Sequence, residues 1–163
     1  MERITWDRTK CVGCRMCEGV CALTHEGEFN PTKARIKIVR TVEDGQLFPV
    51  AVFCLHCEVP YCQAVCPVGA PYRDERGAML INEKNCIGCK LCEMACPVGA
   101  IAVHPEKRVA AKCDWCKGRE ERQCVKFCSQ RYAALSLLPA EKVGKALARA
   151  KAEKFINLAR VEA

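Results

Sequence analysis

"CIGCKLCEMACPVGA", residues 86–100, decides how this chain is read. Four cysteines, Cys86, Cys89, Cys92 and Cys96, stand in the spacing C-x2-C-x2-C-x3-C, and a proline follows the last. The closing CPVGA also stands letter for letter at residues 66–70. Cys66 ends a second group with Cys54, Cys57 and Cys62, spaced C-x2-C-x4-C-x3-C. Outward from these, Cys11, Cys14, Cys17 and Cys21 repeat the first spacing, and Cys113, Cys116, Cys124 and Cys128 read C-x2-C-x7-C-x3-C. All 16 cysteines are thereby used, in four groups of four.

Structural zinc takes its ligands as two separated pairs that close one tetrahedral ion. Three cysteines within seven residues, a fourth three positions on and then proline, form the run by which bacterial ferredoxins hold a [4Fe–4S] cubane. Reach explains the pattern: a tight loop ligates three corners of a body several ångströms across, and the fourth ligand comes from the neighbouring run. In CPVGA the proline fixes φ and lacks an N–H, which directs the chain away from the cluster. Gly69 and Gly99 let the turn lie close to it. A zinc-stabilised binding module and, last, a disulfide scaffold are the competing readings.

Composition agrees with bound metal. Only 6% of residues are aromatic while cysteine is close to one in ten, so apolar burial alone makes a poor core. The first residues, MERITWDRTK, show no apolar secretory run and no twin arginine, and no stretch is long and apolar enough to span a membrane. The expectation is a cytoplasmic protein with reduced cysteines, unless an exported partner carries it. The formal charge of +7 comes from scattered basic residues with no nucleic-acid motif. Four oxidised cubanes with their thiolates shift that sum by about −8, to about −1, so the basicity compensates buried negative charge.

The expected fold class is α+β: two nested bacterial-ferredoxin-like modules of short hairpins and small helices, with a C-terminal helix. Residues 54–103 have the length and content of a whole two-cluster ferredoxin. Met79–Ile81 is expected to form a strand paired with residues 101–103. The outer module is then residues 1–33 with 104–139, split by the inner one. Residues 34–53 alternate apolar and polar positions on both sides of Asp44-Gly45, a hairpin signal. Residues 140–163 are rich in helix formers, with Val143, Leu147, Ala150, Leu158 and Val161 near one face and Phe155 at its margin. That helix could cover this chain or dock on another subunit.

Taken together, "CLHCEVPYCQAVCPVGA", "NCIGCKLCEMACPVGA" and "KCDWC", with widened second and fourth runs, resemble the four-cluster iron–sulfur subunits of the dimethyl sulfoxide reductase and formate dehydrogenase family. The resemblance covers about residues 3–135. Within the family the chain is similar to the small electron-transfer subunits of carbon monoxide dehydrogenase, formate hydrogenlyase and, above all, tungsten-dependent aldehyde oxidoreductase systems. It implies four [4Fe–4S] clusters and four ligand sets. These are Cys11, Cys14, Cys17 and Cys128; Cys21, Cys113, Cys116 and Cys124; Cys54, Cys57, Cys62 and Cys96; and Cys66, Cys86, Cys89 and Cys92. Sequential pairing, the first group with the second and the third with the fourth, is the alternative. Ala22 and Ser129 replace the usual proline after Cys21 and Cys128, which implies less regular turns there.

Four clusters in line make a wire for single electrons. Gly13 and Gly88 are expected to let backbone N–H groups approach a cluster, and Trp115 to shield one from water. His56 is expected to be a packed or partly exposed histidine, with a hydrogen bond to sulfide as the other reading; His25 and His104 carry no motif. No phosphate loop, flavin or nicotinamide fingerprint, or nucleophile with its base is present, so no catalytic residue is assigned. The function this implies is electron transfer inside a multi-subunit oxidoreductase, between a molybdenum- or tungsten-type catalytic subunit and a flavin/NAD subunit or soluble acceptor. A free-standing polyferredoxin is the alternative, and self-association into a cluster chain is a further possibility.

Overall fold

The computed structural model of the protein describes residues 2–43 and 45–143. Among these residues eight strands form four separate antiparallel pairs, with four helices between them, an α+β architecture without a central sheet. β1 (Glu2–Trp6) pairs with β8 (Leu135–Pro139), so the two ends of the described chain close on each other. The long hairpin β2 (Ile36–Glu43) and β3 (Gln46–Phe53) has the register Glu43↔Gln46, with Gly45 at φ 74° in the turn. The Asp-Gly signal is therefore a two-residue hairpin, because glycine takes the left-handed φ at no steric cost.

The other two pairs depart from expectation. β5 (Met79–Ile81) pairs with β4 (Pro71–Arg73), not with residues 101–103. A local turn wins: Asp74 Oδ1 accepts the Ala78 N–H at 2.8 Å, the Asp74 N–H donates to the Ala78 carbonyl at 2.9 Å, and Gly77 closes the corner. β6 (Ala102–Val103) pairs instead with β7 (Ala110–Ala111), joining residues on both sides of the expected boundary at 103/104. Each CPVGA is thus followed by a small hairpin and then by the next cysteine run.

α1 (Met16–Glu26) packs on α4 (Gln123–Ser129), while α2 (Tyr61–Ala64) and α3 (Leu91–Met94) are single turns that pack on each other. The main core combines Ile4, Ile36, Ile38, Phe53, Leu80 and Leu135 with Cys17, Cys21 and Cys124. A smaller cluster joins Ile101 and Ala110 to Cys92. Sulfur fills space that aromatic side chains would occupy in an ordinary domain of this size. Residues 140–143 are helical, and the rest of the expected C-terminal helix, 144–163, lies outside the described residues.

One buried carboxylate ties hairpin to helix. Glu18, 1% exposed on α1, accepts the Ile38 N–H at 2.7 Å and the Arg15 guanidinium at 2.5 Å. Glu18→Ala would leave the buried Ile38 N–H unpaired, while half-exposed Arg15 turns to water, and should cost about 1–3 kcal/mol, against less for Glu18→Gln, which keeps an acceptor oxygen. Comparative thermal unfolding under argon, with iron content measured, checks the ranking.

Candidate metal centre

The sixteen cysteines, none of them in a disulfide, gather around four recesses. Cys11, Cys14, Cys17 and Cys128 line the first; Cys21, Cys113, Cys116 and Cys124 the second. Cys54, Cys57, Cys62 and Cys96 line the third; Cys66, Cys86, Cys89 and Cys92 the fourth. In every recess three cysteines come from one run and the fourth is the last cysteine of another run.

The recesses lie in a row. Burial, then Cys113, Cys21, Cys116 and, from the first recess, Cys17 hold the Cys124 thiol well above its usual range. Burial also pushes Cys113 up to about 12, with Cys54 of the third recess among the contributing charges. Cys92 is pushed up to about 11 by burial, by Cys86 and by Cys62 of the third recess. Packing gives the order: Cys17 and Cys128 of the first recess share the main core with Cys21 and Cys124 of the second, His56 beside Cys57 of the third lies against Trp115 of the second, and Cys62 and Cys96 of the third pack against Cys92 of the fourth. Cys14 and Cys89, one in each terminal recess, are exposed. Beside them, at matching loop positions, Val12 is 58% and Ile87 64% exposed.

The donor set fits polynuclear iron–sulfur groups. Four thiolates around one zinc stand about 3.8 Å apart, from a Zn–S bond of about 2.3 Å. Among the described residues no group of three or more His, Cys, Asp or Glu could hold a single ion, although four cysteines ring each recess. Ligation requires thiolates, and a positively charged occupant offsets the burial that favours the neutral thiol at Cys92, Cys113 and Cys124.

Backbone N–H groups are aimed at the sulfurs. Ala70 N–H donates to Cys66 Sγ and Ala100 N–H to Cys96 Sγ, both at 3.3 Å. Gly69 and Gly99, at φ 61° and 63°, turn the chain back so that the fifth residue of each CPVGA meets the first. This is the part of the motif's role that sequence reasoning missed. The runs without proline reach the same result by other routes: Arg35 N–H donates to Cys21 Sγ and Leu135 N–H to Cys128 Sγ, both at 3.3 Å. All four cysteines that end a run therefore carry one backbone N–H···S contact. Such bonds favour negative charge on sulfur and raise a cluster's potential. At Gly88 the structure shows a constraint of another kind: a Cβ there would lie 2.2 Å from the Arg108 carbonyl oxygen.

The histidines without a motif turn out to be placed by the fold. His25 donates from Nδ1 to the Cys21 carbonyl at 2.8 Å and from Nε2 to Asp114 at 2.9 Å. Burial opposes its charge, but the bonds to Asp114 and to Cys21 Sγ, 3.7 Å from Nδ1, prevail and hold its pKa at about 9. Asp114 is likewise opposed by burial, yet His25 and Arg35 bring it to about 2. His25 is raised, so its contribution to stability is full below about pH 6.5 and is lost as pH rises through 9. Asp114 is depressed, so its contribution is present above about 3.8 and lost as pH falls through 2. His25→Gln should therefore flatten the pH dependence of thermal unfolding between pH 6.5 and 9, measured on iron-loaded protein. His104 is buried with Nε2 facing Glu26 at 3.4 Å. Buried Lys112 donates to the carbonyls of Met79 and Cys113 and so fastens β5 to the fourth run.

His56 is the packed histidine of the two forms expected, 1% exposed. Its ring lies 4.2 Å from that of Trp115, centroid to centroid, and Trp115 is itself 5% exposed in the wall of the second recess.

The 4Fe-4S dicluster domain family matches residues 45–137. This chain belongs to that family. The polyferredoxin-like subunit of the aliphatic sulfonate oxidoreductase of Pyrococcus furiosus is 34% identical over 158 residues, covering 93% of this chain and 87% of that protein. The thiosulfate reductase electron transfer subunit PhsB of Salmonella typhi is 31% identical over 131 residues, 75% of this chain and 68% of the relative. Among solved structures, the active-site complex BamBC of benzoyl coenzyme A reductase with benzoyl-CoA contains a chain that aligns with a TM-score of 0.51. At 22% identity, covering 100% of this chain and 98% of that one, it supports the fold. The match assigns [4Fe–4S] chemistry to this chain, and the relatives it is similar to are named as an electron transfer subunit and a polyferredoxin-like subunit. No described helix is long and apolar enough to cross a membrane.

Proposed function

We propose that this chain is the electron-transfer subunit of a multi-subunit oxidoreductase and holds four [4Fe–4S] clusters in two nested ferredoxin-like modules. The outer module is residues 1–33 with 104–139 and the inner one residues 54–103, with the β6–β7 hairpin crossing from the inner to the outer, and the hairpin of residues 34–53 braces them. The ligands are the four quartets: Cys11, Cys14, Cys17 and Cys128; Cys21, Cys113, Cys116 and Cys124; Cys54, Cys57, Cys62 and Cys96; Cys66, Cys86, Cys89 and Cys92. The observation that carries the reading is the row of four cysteine-ringed recesses with an exposed cysteine only in the two terminal ones.

When bound, the clusters supply one-electron carriers. The protein's own part is threefold. Sixteen thiolates fix spacing along the row, N–H groups at Cys21, Cys66, Cys96 and Cys128 steady negative charge on sulfur, and apolar packing around the second recess excludes water. Val12 and Ile87 offer apolar contact to partners beside the two exposed cysteines. The partners are a molybdenum- or tungsten-type catalytic subunit at one end and a flavin/NAD subunit or soluble acceptor at the other. A tungsten-dependent aldehyde oxidoreductase is the specific partner we propose, on the sequence resemblance.

Anaerobic co-purification from the native cell, with metal analysis, tests this. A stable complex with a large tungsten- or molybdenum-containing subunit and about sixteen irons on this chain is the expected result. A free monomer that reduces several acceptors would replace the reading with a free-standing polyferredoxin. About four zincs and no iron would end both.

A further inference from the structure

The residue before the second cysteine of each run takes a left-handed backbone conformation. It is Gly13 at φ 68°, His56 at φ 48°, Gly88 at φ 67° and Trp115 at φ 55°. Glycine accepts that region freely, whereas a bulky residue there costs about 1–2 kcal/mol and persists only where its surroundings hold it. The two terminal recesses carry the glycines. The other two runs carry rings, Trp115 in the wall of the second recess and His56 beside Cys57 of the third set, and the two rings lie against each other, tilted by 39°, with centroids 4.2 Å apart.

Hydrogen bonding fixes the state of the His56 ring. Nδ1 accepts the Met79 N–H at 2.9 Å, so Nδ1 carries no proton and the neutral ring bears its proton on Nε2. Nε2 is buried and has no partner among the described residues. Lys112, Arg122 and Arg3, the cations that bear on this histidine, carry only donors and cannot serve as acceptor. Asp114 is occupied by His25, Arg35 and the Cys116 N–H. A dry donor of this kind is costly unless an acceptor meets it.

We infer that His56 Nε2–H donates to a sulfur of one of the two clusters that meet at this joint, with Trp115 packed on the ring to hold its orientation. The inference rests on the four-cluster reading above. His56 is a positioning and tuning residue: its bond places positive partial charge at one cluster and sets that cluster's potential above the value it would otherwise have.

The test uses the full-length, iron-loaded protein carrying histidine labelled with nitrogen-15 at Nε2 only. Electron–nuclear double resonance of the reduced protein should show one nitrogen-15 coupling and an exchangeable deuteron after transfer to deuterated water. The nitrogens of His25 and His104 at that position face Asp114 and Glu26. His56→Phe keeps a ring against Trp115 and removes the donor. It should abolish the coupling and shift one midpoint potential downward, with iron unchanged at about sixteen per chain. Full iron and no nitrogen-15 coupling in the unaltered protein overturns the inference, as does His56→Phe with all potentials unmoved. The labelled native protein decides the matter even if the variant loses iron. A chain that binds no iron would instead fail the proposed function.

Discussion

Replacing Cys96 by alanine should remove about four of about sixteen irons per chain, and the cluster lost should be the one held by Cys54, Cys57 and Cys62. The cluster of Cys86, Cys89 and Cys92, the run to which Cys96 belongs in sequence, should survive, because its fourth thiol is Cys66. The structure motivates this crossed dependence: Cys96 lines a recess with Cys54, Cys57 and Cys62. Double variants separate the arrangements. Cys96→Ala with Cys62→Ala should lose no more iron than either alone, since both act on one site, whereas Cys96→Ala with Cys92→Ala should lose about eight irons. Because the row passes through the third recess, end-to-end electron transfer should fall at least about a hundredfold in the single variant, a loss of about 2.7 kcal/mol or more in barrier terms. Iron analysis with low-temperature electron paramagnetic resonance checks the assignment. Loss of the Cys86 cluster in place of the Cys54 cluster would refute the crossing.

The second large effect is expected at Gly88. A Cβ there meets the Arg108 carbonyl oxygen at 2.2 Å, and the backbone sits at φ 67°. Both the turn and the Arg108 backbone must move, which should cost about 3–4 kcal/mol and loosen the fourth recess, of which Gly88 is a wall. Gly99→Ala is the control. Its φ is 63°, yet nothing lies within 4 Å of an added Cβ, so only the left-handed strain of about 1–2 kcal/mol applies. Thermal unfolding under argon should rank Gly88→Ala well below Gly99→Ala, and cluster bleaching should begin at the Cys66, Cys86, Cys89 and Cys92 site in the former. Equal losses in the two variants would show that backbone strain alone governs these turns.

Legibility followed how local each interaction is. The C-x2-C-x2-C-x3-C spacing lies within one loop, so residues 86–100 alone identified the chemistry. The Asp44-Gly45 turn was readable for the same reason: a two-residue hairpin is set by the residues in and beside it. Which distant cysteine completes each set came from the family resemblance, since spacing left sequential pairing open. The partner of β5 was misread, because pairing Met79–Ile81 with residues 101–103 ignored the turn chemistry of Asp74 and Gly77, which closes a hairpin within the segment.

The cysteine pattern by itself determined that this chain carries metal and electrons, because a ligand set needs only side-chain type and reach along a loop. The tertiary structure decided what surrounds those sulfurs. Arg35 meets Cys21 and Leu135 meets Cys128 across stretches with no motif, and His25 finds Asp114 on another run. His56 and Trp115 lie against each other because the middle recesses abut. Such contacts depend on how separate hairpins and helices pack, and only packing brings N–H groups, charges and rings from distant positions to one sulfur.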